Sequence, residues 1–171
     1  KLGMFFTFDY VFEQGWGTLR SLGWPTFHLD AIWPGVTDVA WVSFVLYLVV
    51  FDFVNYWIHR AQHQSNFWWS LHALHHSQRQ MSMWSDNRNH FLDDMLIDVM
   101  LVLLAQLIGV APEQFIAIVA LTQLSESLQH ANVRLSFGRV GERLWVSPRF
   151  HRLHHSIHCS EQNYGVLLPW W

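Results

Sequence analysis

The run VAWVSFVLYLVVFDFVNYWI, residues 39–58, continues without a break into HRAQH, 59–63. It holds twenty residues with a single charge, Asp52. As an α-helix it spans roughly 30 Å, the thickness of a bilayer's hydrocarbon core. His59 and His63, at i and i+4, face one way where that helix leaves the bilayer. Tyr56 and Asp52 continue the same stripe backwards. An aspartate inside a membrane helix is costly and usually functional. Asp52 is therefore expected to accept a hydrogen bond from a ligand imidazole or a water, with Tyr56 beside it.

Two further apolar segments follow, Asp94 to Val110 and Phe115 to Leu128, joined by the turn GVAP at 109–112. They predict a helical hairpin and, with the first segment, about three membrane helices. Basic residues orient them. Arg60, Arg79 and Arg88 fall in one loop, and Arg134, Arg139, Arg143, Arg149 and Arg152 in the last segment. Three crossings put both stretches on one side, which the positive-inside rule makes cytoplasmic. The expectation is an all-α integral membrane bundle with a histidine-rich helical cap on the cytoplasmic side. It forms one domain over 1–171, with 1–35 an interfacial or re-entrant piece and 36–171 the core. A start at Lys1 and a stop at LLPWW suggest a longer chain cut at both ends.

Composition agrees with a membrane protein. Of 171 residues 51% are hydrophobic and 13% charged, with 11 Trp and 13 Phe. The net charge of −3 and the scattered basic residues give no nucleic-acid footprint. The one cysteine, Cys159, rules out an internal disulfide and a cysteine-based zinc site.

The 12 histidines carry the chemistry. HALHH (His72, His75, His76) and HRLHH (His151, His154, His155) share one spacing, about 80 residues apart. On a helix the last two rings of each triplet diverge by about 100°, so one turn reaches two neighbouring metal ions. Buried imidazoles in such numbers otherwise need separate partners. His130, in ESLQHAN, is a ninth candidate ligand, with Glu126 four residues earlier placed to orient it. His90, on one face with Asp94 and Asp98, and His158 are weaker candidates, and His28 reads as an ordinary loop residue. Nine imidazoles exceed what one ion takes, so two metals are implied. Imidazole suits Zn, Cu, Fe and Ni alike. HRAQH lacks the glutamate of a zinc hydrolase's H-E-x-x-H, and a haem bundle uses single axial histidines, not triplets. Trp68, Trp69, Trp84 and Trp145 read as an interfacial belt, with a lipid entrance as the alternative.

DFVNYWIHRAQH, WSLHALHHS, LQHAN, PRFHRLHHS and EQNYG together resemble the fatty acid hydroxylase/sterol desaturase superfamily over about residues 40 to 171. The resemblance implies two iron ions held by His59, His63, His72, His75, His76, His130, His151, His154 and His155. It implies O2 and two electrons spent on hydroxylating or desaturating a lipid C–H bond. No dinucleotide or flavin fingerprint is present, so a separate electron donor, of cytochrome b5, ferredoxin or reductase type, is implied. HFLD at 90–93 departs from the family's His-Pro plus acid, and Glu161 stands where an Asp is common. A dizinc-binding membrane protein or hydrolase using the same ligands is the alternative, and a structural protein binding metal incidentally is a third.

Overall fold

The computed structural model describes residues 2–25, 28–157 and 161–171. Among them the secondary structure is helical, with no strand. The helices are α1 Leu2–Ser21, α2 Leu29–Ile32, α3 Pro34–Thr37, α4 Ala40–Gln64, α5 Asn66–His76, α6 Phe91–Ile108, α7 Pro112–His130, α8 Gly138–Gly141 and α9 Pro148–His154, with a 3-10 turn at Met83–Asn87. Residues 1–35, read as an interfacial or re-entrant piece, open with the 20-residue α1.

The three segments expected to cross a membrane are all helical, but they are not equivalent. Among the described residues only α4 is long and apolar enough to cross, by length and composition. α6 carries Asp93, Asp94 and Asp98 in 18 residues. α7 interleaves Gln114, Gln123, Ser125, Glu126 and Gln129 with its apolar positions.

The chain divides into two compact units, 1–48 with 94–118, and 49–93 with 119–171. In the first, Gln106 Nε2 donates to the Asp9 carbonyl and carboxylate at 2.9 Å each. Gln114 Nε2 donates to Ser43 Oγ at 2.7 Å. The turn between α6 and α7 needs Gly109, whose φ is 75° and where a Cβ would stand 2.6 Å from the His28 ring.

The second unit holds all three histidine motifs. Helix caps fix where their helices begin. Ser65 Oγ accepts from Trp68 N to start α5, and Ser147 Oγ accepts from Phe150 N, with Pro148 in the first turn of α9. The core is formed by Phe51, Val146, Leu167 and Leu168, together with buried Gln62, Gln129, Asp52 and Asp93. So many polar groups at full burial demand partners, and those partners build the site.

Candidate metal centre

The last turns of α4 supply His59 and His63. α5 supplies His72, His75 and His76, the end of α7 supplies His130, and α9 with its cap supplies His151, His154 and His155. They converge in two groups. His59, His63, His72 and His76 each offer a ring nitrogen, and these nitrogens lie within 4.8 Å of one another. His75, His130, His151 and His155 form a second group on the same measure. Each triplet is split between them. The outer pair of the first triplet enters the first group and the inner His75 the second. In the other triplet the outer pair enters the second group, and His154 stands beside the first. Its ring centre is 4.5 Å from that of His59, 4.6 Å from His63 and 4.8 Å from His76.

Hydrogen bonds fix which nitrogen is bare in four of the rings, those of His59, His72, His130 and His154. His130 Nδ1–H donates to the Glu126 carbonyl at 2.7 Å, so its Nε2 carries a lone pair. That Nε2 lies 3.1 Å from His75 Nε2 and 3.1 Å from His151 Nε2, and His155 Nε2 is 3.1 Å from His151 Nε2. Metal–nitrogen bonds of about 2.0–2.1 Å set ligand nitrogens roughly 3.0–3.4 Å apart in tetrahedral or octahedral shells. The contacts have that spacing.

In the first group His59 Nδ1–H donates to the Tyr164 carbonyl at 3.0 Å and His72 Nδ1–H to Asp93 Oδ2 at 3.1 Å. His154 Nδ1–H donates to the Gln162 carbonyl at 2.8 Å. The Nε2 atoms of His72, His76 and His154, and both nitrogens of His63, are buried with no hydrogen-bond partner. Each such orphan costs about 1–3 kcal/mol, which a bound cation relieves. The donor set therefore fits metal in both groups.

Electrostatics favour the neutral form, the state that ligates, at His75, His76, His151, His154 and His155. Burial, followed by the bond to Gln162 and nearby imidazoles, sets His154, which is lowered to about 4. Burial and then His130 and His154 lower His155 to about 2. Burial and the surrounding rings push His75, His76 and His151 far below the ordinary imidazole range.

Several sequence expectations need correction. The Asp52 carboxylate is taken up by Leu167 N at 2.7 Å, Leu168 N at 3.2 Å and Trp171 Nε1 at 2.8 Å, and not by an imidazole. Tyr56 Oη accepts from Arg60 at 3.1 Å. At Glu126 it is the backbone carbonyl that meets His130. His90 Nδ1 accepts from Leu92 N at 3.2 Å at the start of α6, outside both groups. His158 and Cys159 lie outside the described residues. The four tryptophans separate: Trp68 Nε1 donates to Asp93 at 2.8 Å and Trp145 Nε1 to Ser125 at 2.7 Å. Trp84 is exposed, and Trp69 packs on His63 and His76 at 5.0 and 5.5 Å between ring centres.

Asp93 was missed, although it is the acid of HFLD. It accepts from His72, from Gln62 at 2.7 Å and from Trp68. Burial works against its charge, but these bonds prevail and hold its carboxyl below the ordinary range. Asp86 was also missed. It accepts from Gln123 and Ser127 and lies 3.7 Å from His130 Nδ1.

Comparison with known proteins agrees with this geometry. The sequence pattern of the fatty acid hydroxylase family matches residues 44–171. Ornithine lipid hydroxylase OlsE of Rhizobium tropici is 33% identical over 141 residues, 81% of this chain and 42% of that protein. Alkylglycerol monooxygenase of Danio rerio is 29% identical over 151 residues, 86% of this chain and 32% of that protein. Delta(7)-sterol-C5(6)-desaturase of Nicotiana tabacum is 29% identical over 171 residues, 95% of this chain and 55% of that protein. The chain thus spans between about a third and about half the length of these relatives. No solved structure matches it.

Proposed function

The chain belongs to the fatty acid hydroxylase family, and from that premise we propose that it is the core of a membrane-bound di-iron oxygenase acting on a lipid C–H bond. One observation carries the reading: two neighbouring groups of four histidines, each with its ring nitrogens within 4.8 Å. Two iron ions, when bound, supply the redox chemistry by which O2 and two electrons oxidise a C–H bond. In hydroxylation one oxygen atom enters the lipid and the other leaves as water, with two protons taken up. Desaturation removes two hydrogens and forms two waters.

Of the nine histidines, four are held with Nε2 bare: His72 by Asp93, and His130, His154 and His59 by the carbonyls of Glu126, Gln162 and Tyr164. Seven of the nine are buried, and His76 and His155 are half-buried. Val146, Leu167 and Leu168 exclude water behind them. α4 anchors the chain in the bilayer, and the arginines of 60–88 and 134–152 set the site on the cytoplasmic side. A lipid then reaches the site from the membrane, beside Trp69. The relatives named for a hydroxylase, a monooxygenase and a desaturase support lipid as the substrate class. The two electrons are assigned to a donor outside these 171 residues, of cytochrome b5, ferredoxin or reductase type.

The test is lipid mass spectrometry of cells with and without the protein, supplied with heavy-isotope O2. A lipid that gains one labelled oxygen, or loses two hydrogens, in an iron- and O2-dependent way is the expected result. Two tightly held zinc ions with no lipid product after iron reloading would overturn it in favour of a zinc protein.

A further inference from the structure

Asp52 sits seven residues before His59, 1% exposed, in the helix most suited to a membrane. A carboxylate there is expensive unless it is satisfied by donors. Its three donors all come from the C-terminal segment: Leu167 N, Leu168 N and Trp171 Nε1. Bonds to a buried carboxylate are charge-assisted and so among the stronger ones.

The same segment carries the acceptors of two imidazoles. The Gln162 carbonyl takes His154 Nδ1–H, and the Tyr164 carbonyl takes His59 Nδ1–H. Between them Asn163 adopts φ 61°, a left-handed turn that aims the two carbonyls. Gly165 lets the backbone close, since a Cβ there would lie 2.7 Å from the Leu168 carbonyl oxygen. Gln129 Nε2 donates to the Val166 carbonyl at 2.7 Å, and Val146 N to the Leu167 carbonyl at 2.7 Å. Both rings so oriented lie at the first histidine group. Neither touches the Nε2 contacts that knit the second.

We propose that Asp52 is a positioning residue for the first histidine group, acting through the 161–168 segment whose backbone carbonyls aim His59 and His154. The proposal rests on the two-metal reading above. It explains why a buried aspartate within an apolar helix bonds the C-terminal segment and not an imidazole. A metal ligand's supporting hydrogen bonds commonly matter 10–100-fold in affinity, and that is the size expected here.

The test uses the full-length protein and cobalt(II) as the probe, in two backgrounds. His130→Ala disables the second group and His72→Ala the first. Asp52→Asn keeps the size of the side chain but turns an NH2 group toward at least one N–H donor, Leu167 N in its better orientation. It should weaken cobalt binding 10–100-fold in the His130→Ala background and by less than twofold in the His72→Ala background. Where Asp52→Asn fails to fold, Trp171→Phe, which removes one donor, takes its place with an expected loss of about threefold in the first background only. Equal weakening in both backgrounds, or none in the first, overturns the proposal. A parent protein that binds no cobalt at all overturns the two-metal reading instead.

Discussion

The two histidine groups are built from the same motifs but are held in different ways. The first is braced from outside: Asp93 holds His72, and the carbonyls of Tyr164 and Gln162 hold His59 and His154. The second is braced from within. Three of its Nε2 pairs stand 3.1 Å apart, His130 has the Glu126 carbonyl and Asp86 behind it, and the buried Nδ1 atoms of His75 and His151 have no partner. Outer hydrogen bonds fix the tautomer and raise the basicity of a ligand. Bonds of that kind reach His59, His72 and His154 at the first group and His130 at the second, so a metal ion, once bound, would meet more ligands already oriented at the first group.

The largest effect should come from removing a ligand. His72→Ala and His130→Ala should each lower lipid oxidation by at least about 100-fold, since either leaves a half-built centre. Metal analysis should find one ion lost from each variant, not two. Loss of both ions from both variants would show that the groups act as one site and would break the comparison.

Replacing the outside brace comes next. Asp93→Ala should weaken metal at the first group about 10–100-fold and leave the second within about twofold. Calorimetric titration of the metal-free protein reads both steps. Equal weakening at both groups would mean that Asp93 supports the fold, not one site.

Acid should act on both groups in one direction. His154 and His155 are lowered to about 4 and about 2 by burial among other imidazoles, whereas an unfolded histidine titrates near 6.5. Below about pH 6.5 the unfolded chain binds protons that the folded chain refuses. Stability of the metal-free protein should therefore be complete above that pH and fall as the pH drops toward 5, by up to about 1.4 kcal/mol per pH unit per ring. Melting temperatures between pH 8 and 5 check this, and a profile that rises on acidification would contradict it.

The smallest effect is expected at His90. Its Nδ1 caps Leu92 N at the start of α6, so His90→Ala should cost about 0.5–2 kcal/mol of stability and leave the metal count unchanged. A lost ion would make His90 a ligand of one group.

The histidine pattern was legible because it is local. Positions i, i+3 and i+4 on a helix face one another in any fold, so the triplets announced two adjoining sites. Their supports were illegible because they are distant. Asp93 is 21 residues from His72 in sequence, across a turn with no periodic signal. Asp52 is 115 and 116 residues from the backbone amides it accepts from. It shares a stripe of α4 with His59, and the C-terminal segment meets both, at Tyr164 for His59 and at Leu167 and Leu168 for Asp52. The hairpin over α6 and α7 was visible from GVAP, and Gly109 bears out the turn. Of the three segments expected to cross a membrane, α4 alone among the described residues is long and apolar enough by length and composition. Of the aspartates of α6, Asp93 meets His72.

The most direct test of the account is metal counting with X-ray absorption on the iron-loaded, full-length protein. Two iron ions per chain, each in a nitrogen-rich shell at about 2.0–2.2 Å, are the predicted result. One ion or none, or two ions whose absorption is unchanged in His75→Ala and His154→Ala variants, would contradict it.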